Sequence, residues 1–420
     1  MKRAAITLTM LLALAACSKQ EATEVKEQTQ EKANEVAQKV EDAFDVAVPI
    51  DGKDDPAARE KERFNDEWRN LEVFRTSQSA KPQGPAAPDV QVTFAPNGKE
   101  TFKGLTPEQI NSAPVVVPLQ GDVSGPSVLK TQVYLDRVSF SVGALDGRWG
   151  KNSGIAVWWY QRSRGLPATG AMDEPTFRAL AAAAGNVPAL TQRTLTAEDV
   201  EGPFKPIPEE VYDKAKLDCL CYETKKEKLA ERFHTTQEFL EQLNPNVDFS
   251  TLEAGAKLWV PNVRERLTTD RPDIARVVVS IRGNSFNAFD TAGNLIFHAP
   301  TTLGSKYDPS PNETVEVKKI VHNPHFHYQP KLFHEVPDDE PEANLNPGPN
   351  SPVGVVWVAL SKPHFGIHGT SDPESIGYAS SHGCVRLTNW DANDVARRLQ
   401  PGVKIEFLDT RKTGTQTAAR

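Results

Sequence analysis

Two short stretches in the last third of this 420-residue chain hold the residue types that acyl transfer needs: Gly366-Ile367-His368-Gly369 and, after a gap, Ser381-His382-Gly383-Cys384-Val385-Arg386-Leu387. A thiol attacks a carbonyl as thiolate, and an imidazole that takes its proton brings its pKa down from about 8.5 toward the physiological range. On these grounds Cys384 is the candidate nucleophile and His368 the candidate base. Glycine beside the cysteine removes a side chain where a substrate carbonyl must approach, and lets the N–H groups of Gly383 and Cys384 converge on a developing oxyanion. A buried cysteine next to glycine is also what an inert tight turn contains, so it is the two histidines and the arginine in register that point to catalysis. His382 either donates a hydrogen bond near the oxyanion or holds the loop. Arg386 either grips a substrate carboxylate through its planar fork or forms a structural ion pair under the cysteine loop.

These residues resemble the pattern of the YkuD-type L,D-transpeptidases, which runs His-Gly, a loop, then Ser-His-Gly-Cys with Arg two residues after the cysteine. Upstream, Asn346-Pro347-Gly348-Pro349-Asn350-Ser351-Pro352-Val353-Gly354 leads into an apolar run, and Asn389-Trp390-Asp391 follows the cysteine, as in the bacterial periplasmic branch. One departure is Pro309-Ser310-Pro311-Asn312-Glu313-Thr314, where the family usually has Thr-Pro with a following Gly. The resemblance implies that Cys384 attacks the carbonyl of the third residue of a peptidoglycan stem tetrapeptide and expels the terminal D-amino acid. An amine on diaminopimelate or on an envelope protein then resolves the thioester; water in that place would make the site an L,D-carboxypeptidase. It further implies that the main-chain carbonyl of Gly369 orients His368, and that no cofactor takes part. Arg386, Tyr328 and Ser381 complete the expected substrate-binding set.

The elements that must position these groups read as a multidomain α+β chain. The catalytic domain is expected at 273–409, with Arg276-Val277-Val278-Val279-Ser280-Ile281 and Val355 to Leu360 as strand-like apolar runs. The resemblance implies a mostly-β sandwich. The insert from Pro324 to Pro352 would arch over its cleft as a lid, with Phe326, Tyr328 and Phe333 either facing the cleft or stapling the lid down. Asp391 is expected to cap a helix from Ala392 to Leu399.

Ahead of it, residues 105–190 resemble the type 1 peptidoglycan-binding domain, a three-helix unit, through Asp146-Gly147-Arg148-Trp149-Gly150, Gly165 to Gly170 and an Asp173-capped third helix. Trp149, Trp158 and Trp159 read mostly as core. Residues 205–264 resemble a LysM repeat, a βααβ glycan-binding unit, although Lys225-Lys226-Glu227 stands where Gly-Asp is usual. Cys219-Leu220-Cys221 is a C-x-C pair in an exported protein; with Cys384 needed as a thiol and Cys17 acylated, pairing Cys219 with Cys221 is the simplest arithmetic, though so small a ring is strained. His322, His325 and His327 lack the acidic partner and register of a metal site.

Met1-Lys2-Arg3 and the apolar run to Ala16 read as a signal peptide (1–16), and Leu14-Ala15-Ala16-Cys17 resembles the bacterial lipobox, so Cys17 would carry lipid. Ser18, rather than Asp, points to the inner leaflet of the outer membrane, placing the protein in the periplasm of a Gram-negative bacterium. Residues 17–104 are expected to be a charged helical tether and Pro-rich linker, and 410–420 a flexible tail. A net charge of −8, with no basic patch interleaved with aromatics, offers nothing for nucleic acid. The expected partners are stem peptides, glycan and the anchoring membrane.

Overall fold

Apolar residues recurring every three to four positions build a three-helix region, and the computed structural model describes it together with the rest of residues 105–408, apart from 122, 265–270, 282, 306–307, 312 and 334–335. The leader, Cys17, the tether and the tail lie outside the described residues. After a short helix α1 (Pro107–Ser112) come α2 (Pro126–Arg137), α3 (Lys151–Ser163) and α4 (Glu174–Ala184). Asp173 caps α4 by accepting from the N–H of Thr176, and Gly185, at φ 85°, ends it in the left-handed conformation that glycine adopts without a Cβ penalty. Gln132 on α2 clamps the connecting loop by accepting from Gly147 N and donating to Asp146. Trp149 and Trp158 are buried.

The chain continues through β1 (Leu190–Thr194), α5 (Ala197–Val200), α6 (Val211–Lys214), α7 (Lys225–Arg232), α8 (Gln237–Leu243) and β2 (Lys257–Pro261). β1 and β2 pair antiparallel around the two longer helices. The strand that completes this βααβ arrangement thus comes from upstream of residue 205, across an insertion that carries the Cys219–Cys221 disulfide. Phe239 and Leu243 of α8 enter the same core as Val128 and Leu129 of α2 and Tyr160 of α3, so the three-helix and βααβ parts share one interior.

The remainder forms β3 (Arg276–Ser280), β4 (Ser285–Phe289), β5 (Leu295–Pro300), β6 (Thr314–His322), β7 (Phe326–Tyr328), β8 (Ala343–Leu345), β9 (Val356–Leu360), β10 (Gly366–His368), β11 (Val385–Arg386), α9 (Asn389–Arg398) and β12 (Lys404–Leu408). Mostly-β architecture is as expected, but the sandwich is one continuous sheet of order β11-β10-β9-β6-β12-β3-β4-β5. Register shifts in the β6–β9 and β4–β5 pairs let such a sheet curl over its own core, because a bulge bends a strand and increases its twist. Ala392, Val395 and Ala396 of α9 close that core against Val356, Val358 and Val385. Thr388, not Asp391, caps α9, its hydroxyl accepting from Asp391 N; Asp391 lies inside the first turn, its carboxylate accepting from Thr388, Ser141 and Arg264.

Edge strand β5 is covered by the three-helix region: Ser141 N donates to His298 O and His298 N to Ser139 O, which satisfies backbone groups that an open edge would expose. Asn152 and Lys151 bond the carbonyls of Ile376 and Gly377. At the centre of the junction, Arg264, just after β2, is buried among three carboxylates: Asp136 of α2 and Asp391 and Asp394 of α9. Asp136 also bonds His234 Nδ1, and Asp391 accepts from Ser141 Oγ at 2.7 Å. Burial would raise the Asp136 carboxyl, but Arg264 and His234 pull it down to about 2. At Asp391 burial wins and the carboxyl is raised, against the pull of Arg264 and the Ser141 hydroxyl.

Candidate active site

β10 and β11 run parallel, with Ile367 opposite Val385 and His368 opposite Arg386. Side chains alternate along a strand, so His368 and Arg386 share a face, and Cys384, two residues before Arg386, reaches that face beside Gly366. Cys384 Sγ lies 3.7 Å from the carbonyl oxygen of His364, a residue held at φ 66°, and Gly366 supplies a further backbone hydrogen bond. His368 Nδ1 is 2.6 Å from Gly369 O. A carbonyl only accepts, so Nδ1 carries the proton and Nε2 is left as the basic nitrogen. Trp357, opposite His368 on β9, stacks on the imidazole with centroids 5.6 Å apart. A Cβ on Gly366 would fall 2.3 Å from that indole, so glycine is what lets the ring lie there.

The nucleophile loop is braced from several sides. Ser381 Oγ donates to Cys384 O at 2.7 Å and accepts from Gly383 N at 3.2 Å, while Ser381 N donates to Leu303 O. Gly383 sits at φ 110°, and a Cβ there would meet Phe365 at 2.7 Å. Ser310, in the stretch that departs from the family pattern, donates to Gly383 O at 2.8 Å. Thr302 pairs with the backbone of Arg386, which is buried and whose guanidinium burial pushes down to about 9.

Electrostatics at the site reverse one expectation. Burial pushes the Cys384 thiol up to about 12 and the His368 imidazole down to about 4, so at pH 7 both are neutral rather than a thiolate–imidazolium pair. The cause is desolvation: neither ring nor sulfur meets enough charge here to offset leaving water.

Ser381 is buried, and its hydroxyl bonds inside the loop, where it shapes the turn. Gly383 N–H likewise faces Ser381 rather than the cleft, so it is not aimed at an oxyanion in this state. Tyr328 is buried in the insert, where it packs on Phe333 at 5.2 Å, and Phe333 in turn meets the His382 ring edge-on at 5.3 Å. Tyr328 and Phe333 therefore staple the insert onto the nucleophile loop, and Phe326 is buried within the insert opposite Leu345. The insert is anchored at its other end on the disulfide turn, with Leu220 N donating to Pro347 O and Asn350 N to Leu220 O.

Trp357, Asn389, Ser310 and Phe365 belong to the site but do not stand out as site residues in the sequence. Asn389 has a signal, its place in the motif after the cysteine; the others reach the site only through strand pairing and loop packing. A cavity of ≈480 Å³ lies behind α9, lined by Glu231, His322, Asn389 and Arg397 among others, and neither Cys384 nor His368 borders it.

Residues 274–407 match the YkuD family, described as the L,D-transpeptidase catalytic domain, and residues 124–180 match the family of peptidoglycan binding domains. The chain is similar to the "Putative L,D-transpeptidase YkuD" of Bacillus licheniformis, 28% identical over 43% of this chain and 92% of that protein. It is also similar to the "Probable L,D-transpeptidase YbiS" of Escherichia coli K12, 26% identical over 40% of this chain and 55% of the relative. The chain thus spans about half the length of the Escherichia coli relative. L,D-transpeptidase 3 from Mycobacterium tuberculosis overlaps at 16% identity and a TM-score of 0.27, over 38% of this chain and 75% of that one, too slight a likeness to add to the assignment. With the sheet, the Cys384 loop and the match in agreement, residues 274–407 form a YkuD-type L,D-transpeptidase catalytic domain, which follows a region that matches a peptidoglycan binding domain.

Proposed function

We propose that the protein is a peptidoglycan L,D-transpeptidase in which Cys384 and His368 act on stem tetrapeptides. The single observation that carries this reading is the parallel β10–β11 pair, which brings His368 and the Cys384 strand onto one face with Nδ1 of the imidazole fixed on Gly369 O. Cys384 Sγ forms a bond to the carbonyl carbon of the third residue, its proton passes to His368 Nε2, and the C–N bond to the terminal D-amino acid breaks as that proton goes to the leaving amine. An acceptor amine then forms the new C–N bond, the C–S bond breaks, and the proton returns to sulfur. Because both groups start neutral, proton transfer accompanies attack instead of preceding it.

The stapled insert favours amine over water by excluding solvent from the thioester. Diaminopimelate or an envelope protein is the acceptor, Arg386 the group that meets a substrate carboxylate, and His382 a loop residue at the cleft. Residues 124–180 bind stem peptide or sugar, and the βααβ part, read as LysM-like, binds glycan. Cys17 carries lipid that anchors the protein to the inner leaflet of the outer membrane, facing the periplasm.

Incubation of the full chain with disaccharide tetrapeptides and, separately, with a carbapenem tests the chemistry. Loss of D-Ala together with a mass adduct on Cys384 supports it; neither appearing in the wild type leaves a non-catalytic tether between wall and membrane. Product masses also separate crosslinks from the L,D-carboxypeptidase outcome. Exchanging Ser18 for Asp tests the address, since unchanged membrane fractionation would remove the basis for an outer-membrane assignment.

A further inference from the structure

Asn389 is the first residue of α9, buried five positions beyond Cys384. Its side-chain oxygen accepts from Val355 N and Thr370 N, both at 3.2 Å. Gly354 and Gly369 press so closely that a Cβ on either would lie 2.0 or 2.2 Å from that oxygen. Its amide nitrogen points the other way, to the two carboxylate oxygens of Glu231 at 3.2 and 3.1 Å and to Pro349 O at 3.1 Å. One amide therefore joins the end of β10, the base of the insert and helix α7 of the βααβ part.

The decisive detail is which peptide unit Asn389 holds. The carbonyl of Gly369 and the N–H of Thr370 belong to the same planar group, so fixing one end fixes the other. His368 Nδ1 binds the carbonyl end at 2.6 Å, and Asn389 Oδ1 binds the N–H end. Glu231 is itself buried, with Tyr222 OH donating to its Oε2 at 3.2 Å. A carboxyl group whose oxygens receive the amide N–H groups polarises the amide and strengthens its oxygen as an acceptor.

We propose that Glu231 and Asn389 are positioning residues for His368, so that the βααβ part reaches across to set the orientation of the catalytic imidazole through one shared peptide plane. The inference rests on reading His368 as the base. It makes the accessory region a component of the catalytic machinery as well as an attachment device, and it explains why glycine occupies both 354 and 369.

The test uses the full chain with Glu231→Ala, Asn389→Asp and the double variant Asn389→Asp/Glu231→Gln. Asn389→Asp keeps the acceptor for Val355 and Thr370 but, assayed above about pH 8 where Glu231 is ionised, sets two carboxylates against each other. In the double variant the Gln amide donates to Asp and rebuilds the contact with its roles reversed, without the Pro349 bond. Two readouts are taken: kcat and KM for tetrapeptide turnover, and the 15N shifts of the His368 ring, assigned with a His368→Gln control. Misplacement of a catalytic group by about an ångström lowers rates up to about 100-fold, so each single variant is expected to lose at least ~10-fold in kcat with KM nearly unchanged, and to shift the ring from the Nδ1–H tautomer toward a mixture. The double variant should recover most of both. Folded single variants with unchanged ring shifts, or a double variant no better than Asn389→Asp, would overturn the proposal. The ring shifts need no substrate, so they decide it even if wild-type turnover fails and the functional reading falls with it.

Discussion

Two buried polar regions of the molecule treat charge in opposite ways. Around Arg264 the molecule keeps charge at its centre: three carboxylates and His234 surround one guanidinium, and Asp136 is held at about 2 despite complete burial. Around Cys384 it withholds charge, with thiol and imidazole both driven neutral. Asp391 stands seven positions beyond Cys384 in the chain. What differs is the supply of countercharge: Arg264 comes from beyond β2 to sit among the carboxylates, while at Cys384 and His368 only backbone hydrogen bonds to Gly366 and Gly369 act against burial. Burial alone therefore does not fix a protonation state; partner density does.

Removing the sulfur abolishes the neutral side outright and has the greatest consequence. Cys384→Ala should lower tetrapeptide turnover by roughly 10³-fold or more with the fold intact, as followed by product mass and far-UV circular dichroism. The charged side comes next: Arg264→Ala leaves Asp136, Asp391 and Asp394 buried without their cation and should cost about 3–5 kcal/mol in denaturant unfolding. A loss under ~1 kcal/mol would mean that water enters the junction and relieves the carboxylates.

Glu231 is an intermediate case, a buried carboxylate with an amide and a hydroxyl for partners but no cation, and burial raises it to about 8. Its folded value lies above its unfolded one, so its favourable contribution is complete below about pH 4.3 and is lost as pH rises through 8. Glu231→Gln should therefore flatten the fall in stability between pH 5 and 8 and leave the variant more stable at pH 8 by roughly 1–3 kcal/mol. Thermal melts across that range check the sign. A milder effect probes the cysteine side again: with its thiol raised by burial, Cys384 should react with iodoacetamide at pH 8 about tenfold or more slowly in the native protein than in denaturant. Equal rates would show a thiolate already formed.

Where chemistry is local, local pattern reveals it. The glycine-flanked cysteine, the His-Gly pair, the strand-like runs at 276–281 and 355–360 and the mostly-β character of the catalytic domain are legible without coordinates. Properties set by distant partners are not. Arg264 reads in sequence as one more basic residue beside Glu265 and Arg266, because nothing local marks the carboxylates that will enclose it. The pattern names a base and so implies an ionised thiol, whereas the protonation of Cys384 follows from how little water and charge surround it. Leu190-Thr191-Gln192-Arg193-Thr194 lacks an apolar alternation strong enough to announce a strand, and only its pairing with β2 makes it one. Asp391 has the look of a cap because it stands at the right distance from an apolar helix, but Thr388 lies nearer the true start and leaves Asp391 for the junction.

The boundary that sequence families draw at residue 274 cuts through the wiring of the enzyme. Asp391 loses Arg264 and Ser141, Asn389 loses Glu231, and edge strand β5 loses its cover if residues 105–273 are removed. The segment that recurs among relatives as a unit of inheritance is therefore smaller than the unit that works here. A gene fragment trimmed to that segment would encode open sockets, and grafting the segment behind a foreign leader would require the sockets to be refilled.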